Sequence, residues 1–271
     1  MSLPLKSATG LQASAASAST SGTGSTDSEA DSHSTKPSFP SPLISPSTSE
    51  IPLFQRVFLV SACKTLSEVV RFVTSHLDEE NAEYTTFVGL PFNWGPRIFE
   101  QLDKEDGKIL GRKYRITWNS FQRTLHLSMP SLLHEAVAIW YIHMTDIWFS
   151  NGNITLAEKK EITPRTNTTF TLPTSPYQQS SKIPDVAVRP NDGQSLPSFV
   201  IAVGWTEPMT ALQADMELLL RGSGRKIQRG VTVKWYQQKN TKTVRGSVCL
   251  WALDDDERLT KQQEEVCTQQ T

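Results

Sequence analysis

The sequence predicts an α/β protein, a mixed central sheet flanked by helices, preceded by a disordered N-terminal tail. Three observations carry that expectation. Residues Met1 to Glu50 hold 21 Ser or Thr and a single aromatic, Phe39, so they offer too little apolar surface to offset the entropy of ordering. All seven Trp lie after Glu50, where the chain is long enough to bury a sizeable core. Two strand patterns, Ser198–Val203 and Arg229–Tyr236, bracket a helical one, Met209–Leu220. Strand, helix and strand over that length imply a crossover and a parallel pair. The expected organisation is therefore a tail over 1–50, one α/β domain over 51–255 and a polar C-terminal tail over 256–271.

Taken in order, Thr65–Leu77 sets Leu66, Val69, Val70, Val73 and Leu77 at helical spacing, with Ser67, Glu68 and Arg71 opposite, the pattern of an amphipathic helix. Asn93–Glu105 reads as a second helix entered through Gly95-Pro96, proline being tolerated in a first turn. Tyr114–Trp118 and Arg123–Ser128 flank the turn-prone Asn119-Ser120 and read as a hairpin. Met129-Pro130-Ser131 then opens a long apolar helix, Leu132–Trp148, whose expected core-facing stripe is Leu133, Val137, Trp140, Met144 and Ile147. Further strands are expected at Thr168–Leu172, Asp185–Val188 and Arg245–Leu253, the last antiparallel to its predecessor, and a short frayed helix over Asp254–Thr271.

Composition narrows the function classes. A net charge of −1 argues against a wholesale polyanion binder while leaving room for a local basic patch. Cys63, Cys249 and Cys267 are far apart and form no close-spaced zinc pair, so a reducing interior is expected. There is no apolar run of about 18 residues to span a membrane and no signal-peptide pattern, so a location inside the cell, in cytoplasm or nucleus, is expected. No phosphate-cradling glycine loop, nucleophile elbow or zinc motif is present.

Three segments, Met-Pro-Ser-Leu-Leu-His-Glu over 129–135, Lys-Ile-Pro-Asp over 182–185, and Pro-Ser-Phe-Val-Ile-Ala-Val-Gly-Trp-Thr-Glu over 197–207, together resemble a set of fungal proteins in the PD-(D/E)XK nuclease-like superfamily. The resemblance runs over about residues 112–254 and implies a restriction-endonuclease-like core. It also implies that one Asp and an acid on the next strand hold Mg²⁺, with a Lys two residues beyond the second acid. Hard Mg²⁺ takes carboxylate oxygens and water, stabilises charge on a phosphate and generates hydroxide. An acid and a lysine two positions apart on a strand share a face.

On this pattern Asp185 is the first acid and the metal ligand. The resembling proteins read Phe-Val-Val-Glu-Val-Gly-Trp, so the second acid falls on Ala202 and the lysine on Gly204, neither of which has a group to offer. The resemblance therefore implies a degenerate, inactive nuclease-like fold that needs no cofactor. The rival is an active Mg²⁺-dependent endonuclease using Asp185, a migrated acid at Glu207 or Glu135, and Lys234. Both migrated acids have simpler readings, since each sits near a helix start where a carboxylate complements the dipole. Asp215, on the helix that follows, is a further replacement acid on this pattern or, more simply, part of a solvated face.

One basic segment stands apart. Eight Lys or Arg and no acid occur between Leu218 and Leu253. Arg221, Arg225, Lys226, Arg229 and Lys234, with Trp235 interleaved, offer a nucleic-acid surface of the backbone-tracking, base-stacking kind. The alternative is a solvated hairpin whose charges protect an edge. A third functional reading is a protein-interaction module meeting its partner through Trp-rich surfaces.

Overall fold

The computed structural model describes residues 55–77, 84–104, 108–109, 112–190, 193–237 and 243–270. The tail expected over 1–50 lies outside them, as do Lys239 and Lys242 of the basic segment. The chain is mixed α/β. Its strands are β1 (Gln55–Leu59), β2 (Tyr84–Val88), β3 (Lys108–Ile109), β4 (Arg112–Lys113), β5 (Arg115–Asn119), β6 (Thr124–Ser128) and β7 (Pro164–Arg165). They continue with β8 (Phe170–Thr171), β9 (Ser181–Lys182), β10 (Val186–Val188), β11 (Phe199–Gly204), β12 (Arg229–Gln237), β13 (Thr243–Leu253) and β14 (Leu259–Gln270). The helices are α1 (Leu66–Leu77), α2 (Gly95–Asp103), α3 (Leu132–Ser150), α4 (Leu156–Glu161) and α5 (Met209–Gly222). Among the described residues, no helix is long and apolar enough to cross a membrane.

Where one central sheet was expected, the described strands form two six-stranded mixed sheets and a two-stranded ladder. The first sheet runs β1-β2-β6-β5-β9-β8 and the second β14-β13-β12-β11-β10-β7. Each contains one parallel pair, β1 with β2 and β11 with β12, among antiparallel neighbours. The β5–β6 hairpin and the β11–α5–β12 crossover form as the sequence predicts.

Each sheet is sealed by helices whose apolar spacing matches their exposure. Val69, Val73 and Leu77 of α1 and Ile98, Phe99 and Leu102 of α2 pack on Phe87, Ile116, Trp118 and Leu125 of the first sheet. The second sheet is covered on both faces. Leu212, Met216 and Leu219 of α5 meet Ala187, Val200, Ala202 and Trp251 on one side, while Val137 and Tyr141 of α3 meet Val186, Ile201, Val203 and Val233 on the other. Strand alternation explains how β11 serves both, since successive side chains point to opposite faces.

Two expectations are corrected here. The stripe that α3 buries is His134, Val137, Tyr141 and Thr145, rotated from the one expected, and Trp140 is 52% exposed. This helix is apolar on nearly every side, so periodicity carries little information about which side faces inward. The ending beyond Asp254 is also not a frayed helix. β14 pairs antiparallel along β13 from Leu259 to Gln270. Its polar Lys261–Glu265 run is exposed, as befits an edge strand held by backbone hydrogen bonds and guarded by charge. β1 and β2 were likewise not foreseen; β1 leaves Val57 and Leu59 exposed and so mimics an irregular segment.

The chain passes from the first sheet to the second between β9 and β10, and every residue from Ser180 to Val188 is buried. That crossing carries Lys182 and Asp185. Close packing around it is tested at Gly95, where an added Cβ would lie 1.8 Å from the Trp118 ring. Gly95→Ala should lower stability by about 1–3 kcal/mol, read as a drop in the urea midpoint.

Candidate functional site

Asp185 immediately precedes β10, and its backbone N–H donates to the Ile201 carbonyl at 3.1 Å. Val186 pairs antiparallel with Ile201, the last pair of that ladder, and Asp185, just before it, lines one small buried cavity together with Ala202 of β11. That cavity has a volume of about 10 Å³, room for about one water.

Both oxygens of Asp185 are engaged by this chain. Oδ2 accepts the Val203 backbone N–H at 2.7 Å, and Oδ1 pairs with Nη1 of Arg115, which reaches across from β5 of the first sheet. His134 Nε2 stands 4.0 Å from the same Oδ1. Ser131 donates its backbone N–H to His134 Nδ1 at 3.0 Å. The ring of a neutral His134 must then carry its proton on Nε2, toward the Val203 backbone. Burial, aided by the Arg115 cation, pushes the His134 pKa down to about 4, so the neutral form is the one present at neutral pH. Burial also lowers Arg115 to about 10, which leaves it cationic there.

A second ion pair lies beside the first. Lys182 Nζ donates to Asp215 Oδ2 of α5 at 2.5 Å and to Thr117 Oγ1 of β5 at 3.1 Å. Glu207, in the turn between β11 and α5, lines the same cavity. Its carboxyl is pushed up to about 8, first by burial and next by the Asp215 carboxylate. Lys234 of β12 donates to the Trp205 carbonyl, and burial draws it down to about 8. Against this cluster, His126 of β6 accepts or donates to Tyr84 and Thr86 of β2 at 3.1 and 2.9 Å. Burial holds His126 at about 4.

Of the residues nominated from sequence, Asp185, Glu207 and Lys234 converge on this buried cluster. Glu135 does not. It is exposed on α3, and its neighbour His134 takes the inward position, because a helix turns about 100° per residue. Asp215, expected on a solvated face, is instead buried at 7% exposure. Gly204, where the resemblance puts a lysine, is closed: an added Cβ would lie 2.8 Å from Leu212 Cδ1 and 3.3 Å from Glu207. Arg115, His134 and Lys182 were missed. The available signals were an Arg inside a strand buried along its whole length and a Lys within the quoted Lys-Ile-Pro-Asp.

The basic segment does not form one surface. Lys234 turns inward, and Trp235, next along the strand, packs on the α3 side of the sheet, because neighbouring strand residues face opposite ways. Arg221 pairs with Glu217 at 2.6 Å. Arg225 donates to the carbonyls of Asp254 and Asp255 at 2.7 and 3.3 Å, tying the end of α5 to the β13–β14 turn. Arg225 and Lys226 rim a cleft of about 520 Å³, and Arg229 is exposed nearby on β12.

The pH dependence of stability follows from these groups. Glu207 is raised above its unfolded value of about 4.3, so its protonated form stabilises the fold at low pH and that contribution fades as pH rises through about 8. The buried histidines, held near 4, work in the opposite sense and finish by about pH 6.5. Stability should therefore fall by about 1–2 kcal/mol between about pH 6.5 and 8, and Glu207→Gln should flatten that fall in urea titrations across the range. The chain matches no protein-family model, and no curated protein or solved structure is similar to it.

Proposed function

We propose that the chain is a degenerate nuclease-like fold, restriction-endonuclease-like in descent, that no longer cuts phosphodiesters and is kept for binding. The observation that carries this reading is that Asp185 shares its small cavity with Ala202, which has no ligand atom, while its own oxygens are taken by Arg115 and the Val203 N–H. The residues present do not fit Mg²⁺ as they stand. Asp215 is committed to Lys182, Glu207 favours its protonated form, and Mg²⁺ keeps several waters that a one-water cavity does not hold. Nucleic acid is the partner class favoured by the exposed cations Arg225, Lys226 and Arg229, now without Lys234 and Trp235.

A second reading has one observation in its favour. Three carboxylates, Asp185, Glu207 and Asp215, line a single cavity together with Lys182, which is the material of a Mg²⁺-dependent endonuclease with a migrated acid. The two readings separate in one assay. Incubated with supercoiled plasmid and Mg²⁺ or Mn²⁺, the full chain should produce no nicking above a protein-free control. Nicking that Asp185→Ala abolishes would instead establish the migrated-acid enzyme. In parallel, a duplex gel shift that weakens with salt and is lost on Arg225→Glu with Lys226→Glu is the expected sign of the binding role.

A further inference from the structure

Helix α3 buries His134, Val137, Tyr141 and Thr145 and leaves a second apolar row on its outer side. Leu132 is 83% exposed, Ile139 67%, Ile142 48% and Phe149 40%. Together with the exposed Glu135 and Asp146 they follow one another at alternating spacings of three and four residues, which keeps them in a single stripe along the helix. At about 1.5 Å per residue the stripe is about 26 Å long. Its four apolar side chains expose on the order of 400 Å², a patch of the size that marks interaction sites on folded chains.

The order of residues in the stripe selects what covers it. Read from either end it runs apolar, acid, Ile, Ile, acid, apolar, symmetric about a point between Trp140 and Tyr141. A closed two-fold contact has this property, since residue i of one copy meets residue j of the other and j meets i. Laid antiparallel on a second copy, Leu132 of one helix meets Phe149 of the other and Ile139 meets Ile142, each contact occurring twice. Glu135 then approaches Asp146, and two bare carboxylates there would repel. Asp146 is not bare, because Lys159 of α4 holds its Oδ1 at 2.7 Å and stands over the Phe149 ring at 5.1 Å from the centroid. An ammonium has three donors, so Lys159 can serve Glu135 of the other copy as well. The stripe thus carries an anion at its N-terminal end and a cation at its C-terminal end, and antiparallel pairing sets each against the other while opposing the two helix dipoles.

We propose that the outer face of α3 is a homodimer interface, an antiparallel two-fold contact centred on Ile139 and Ile142. Specific interfaces bury about 1,200–2,000 Å² in total, and one helix pair lies at the small end of that range, so the dimer is reversible. The contact uses neither the buried cluster around Asp185 nor the cations Arg225, Lys226 and Arg229, and it stands independently of the nuclease-like reading.

Sedimentation of the full chain over about 1–100 µM should show monomer giving way to dimer. Ile139→Glu combined with Ile142→Glu, both at exposed positions, should abolish the dimer and leave the thermal midpoint of the monomer within about 2 °C. Oxidation reads the geometry separately. An equal mixture of Ile139→Cys and Ile142→Cys chains should cross-link several-fold faster than either chain alone, with the unsubstituted protein as the control for its own cysteines. A monomer at every concentration, which would leave the face to a helix of another protein, a dimer that the paired Glu substitutions leave intact, or cross-linking no faster in the mixture would each overturn the proposal.

Discussion

The two sheets are held to one another through charge as well as apolar packing. Arg115 of the first sheet meets Asp185 at the edge of the second, and Lys182, still in the first, meets Asp215 on the helix that covers the second. Burying ions in this way is costly, and such pairs are weak evidence for stability in themselves. Removing one member of a buried pair, however, typically costs about 3–5 kcal/mol, because it strands the other. The rest of the seam follows from that constraint. His134 stays neutral, Glu207 retains its own proton, and the space left over is about the size of one water.

A site assembled this way differs from a working hydrolytic pocket in how its charges are spent. In a metal-dependent pocket, carboxylates are left under-satisfied so that a cation can complete them. Here the carboxylates are completed by the protein's own Arg115 and Lys182. Ala202 and Gly204 supply nothing, and Leu212 closes the space above Gly204. Arg115, itself buried, thus takes the place beside Asp185 that a cation would hold.

Much of this was legible in the residues, and what was not has identifiable causes. The helix at Leu66–Leu77, the β5–β6 hairpin and the β11–α5–β12 crossover have clean periodicity, because each buries one face and exposes the other. That Asp185 and Ala202 would meet at one site was legible as well, and both line the same cavity. α3 hid its phase because Leu132, Ile139, Trp140 and Ile142 on its outer side are as apolar as the residues it buries. β14 hid as a polar tail because its stability is carried by backbone pairing with β13, which side-chain pattern does not report. Arg115 and Lys182 were passed over because their partners lie 70 and 33 positions away along the chain, distances at which local pattern is silent.

Only Ile183 and Pro184 separate the residue anchored in one sheet from the residue anchored beside the other. So short a bridge has no slack, and proline fixes its own φ within it. Any shear of one sheet past the other pulls on Lys182 and Asp185 in opposite directions and draws both from their counter-ions at once. The seam is therefore a latch, in which sliding of one sheet past the other works against two ion pairs together.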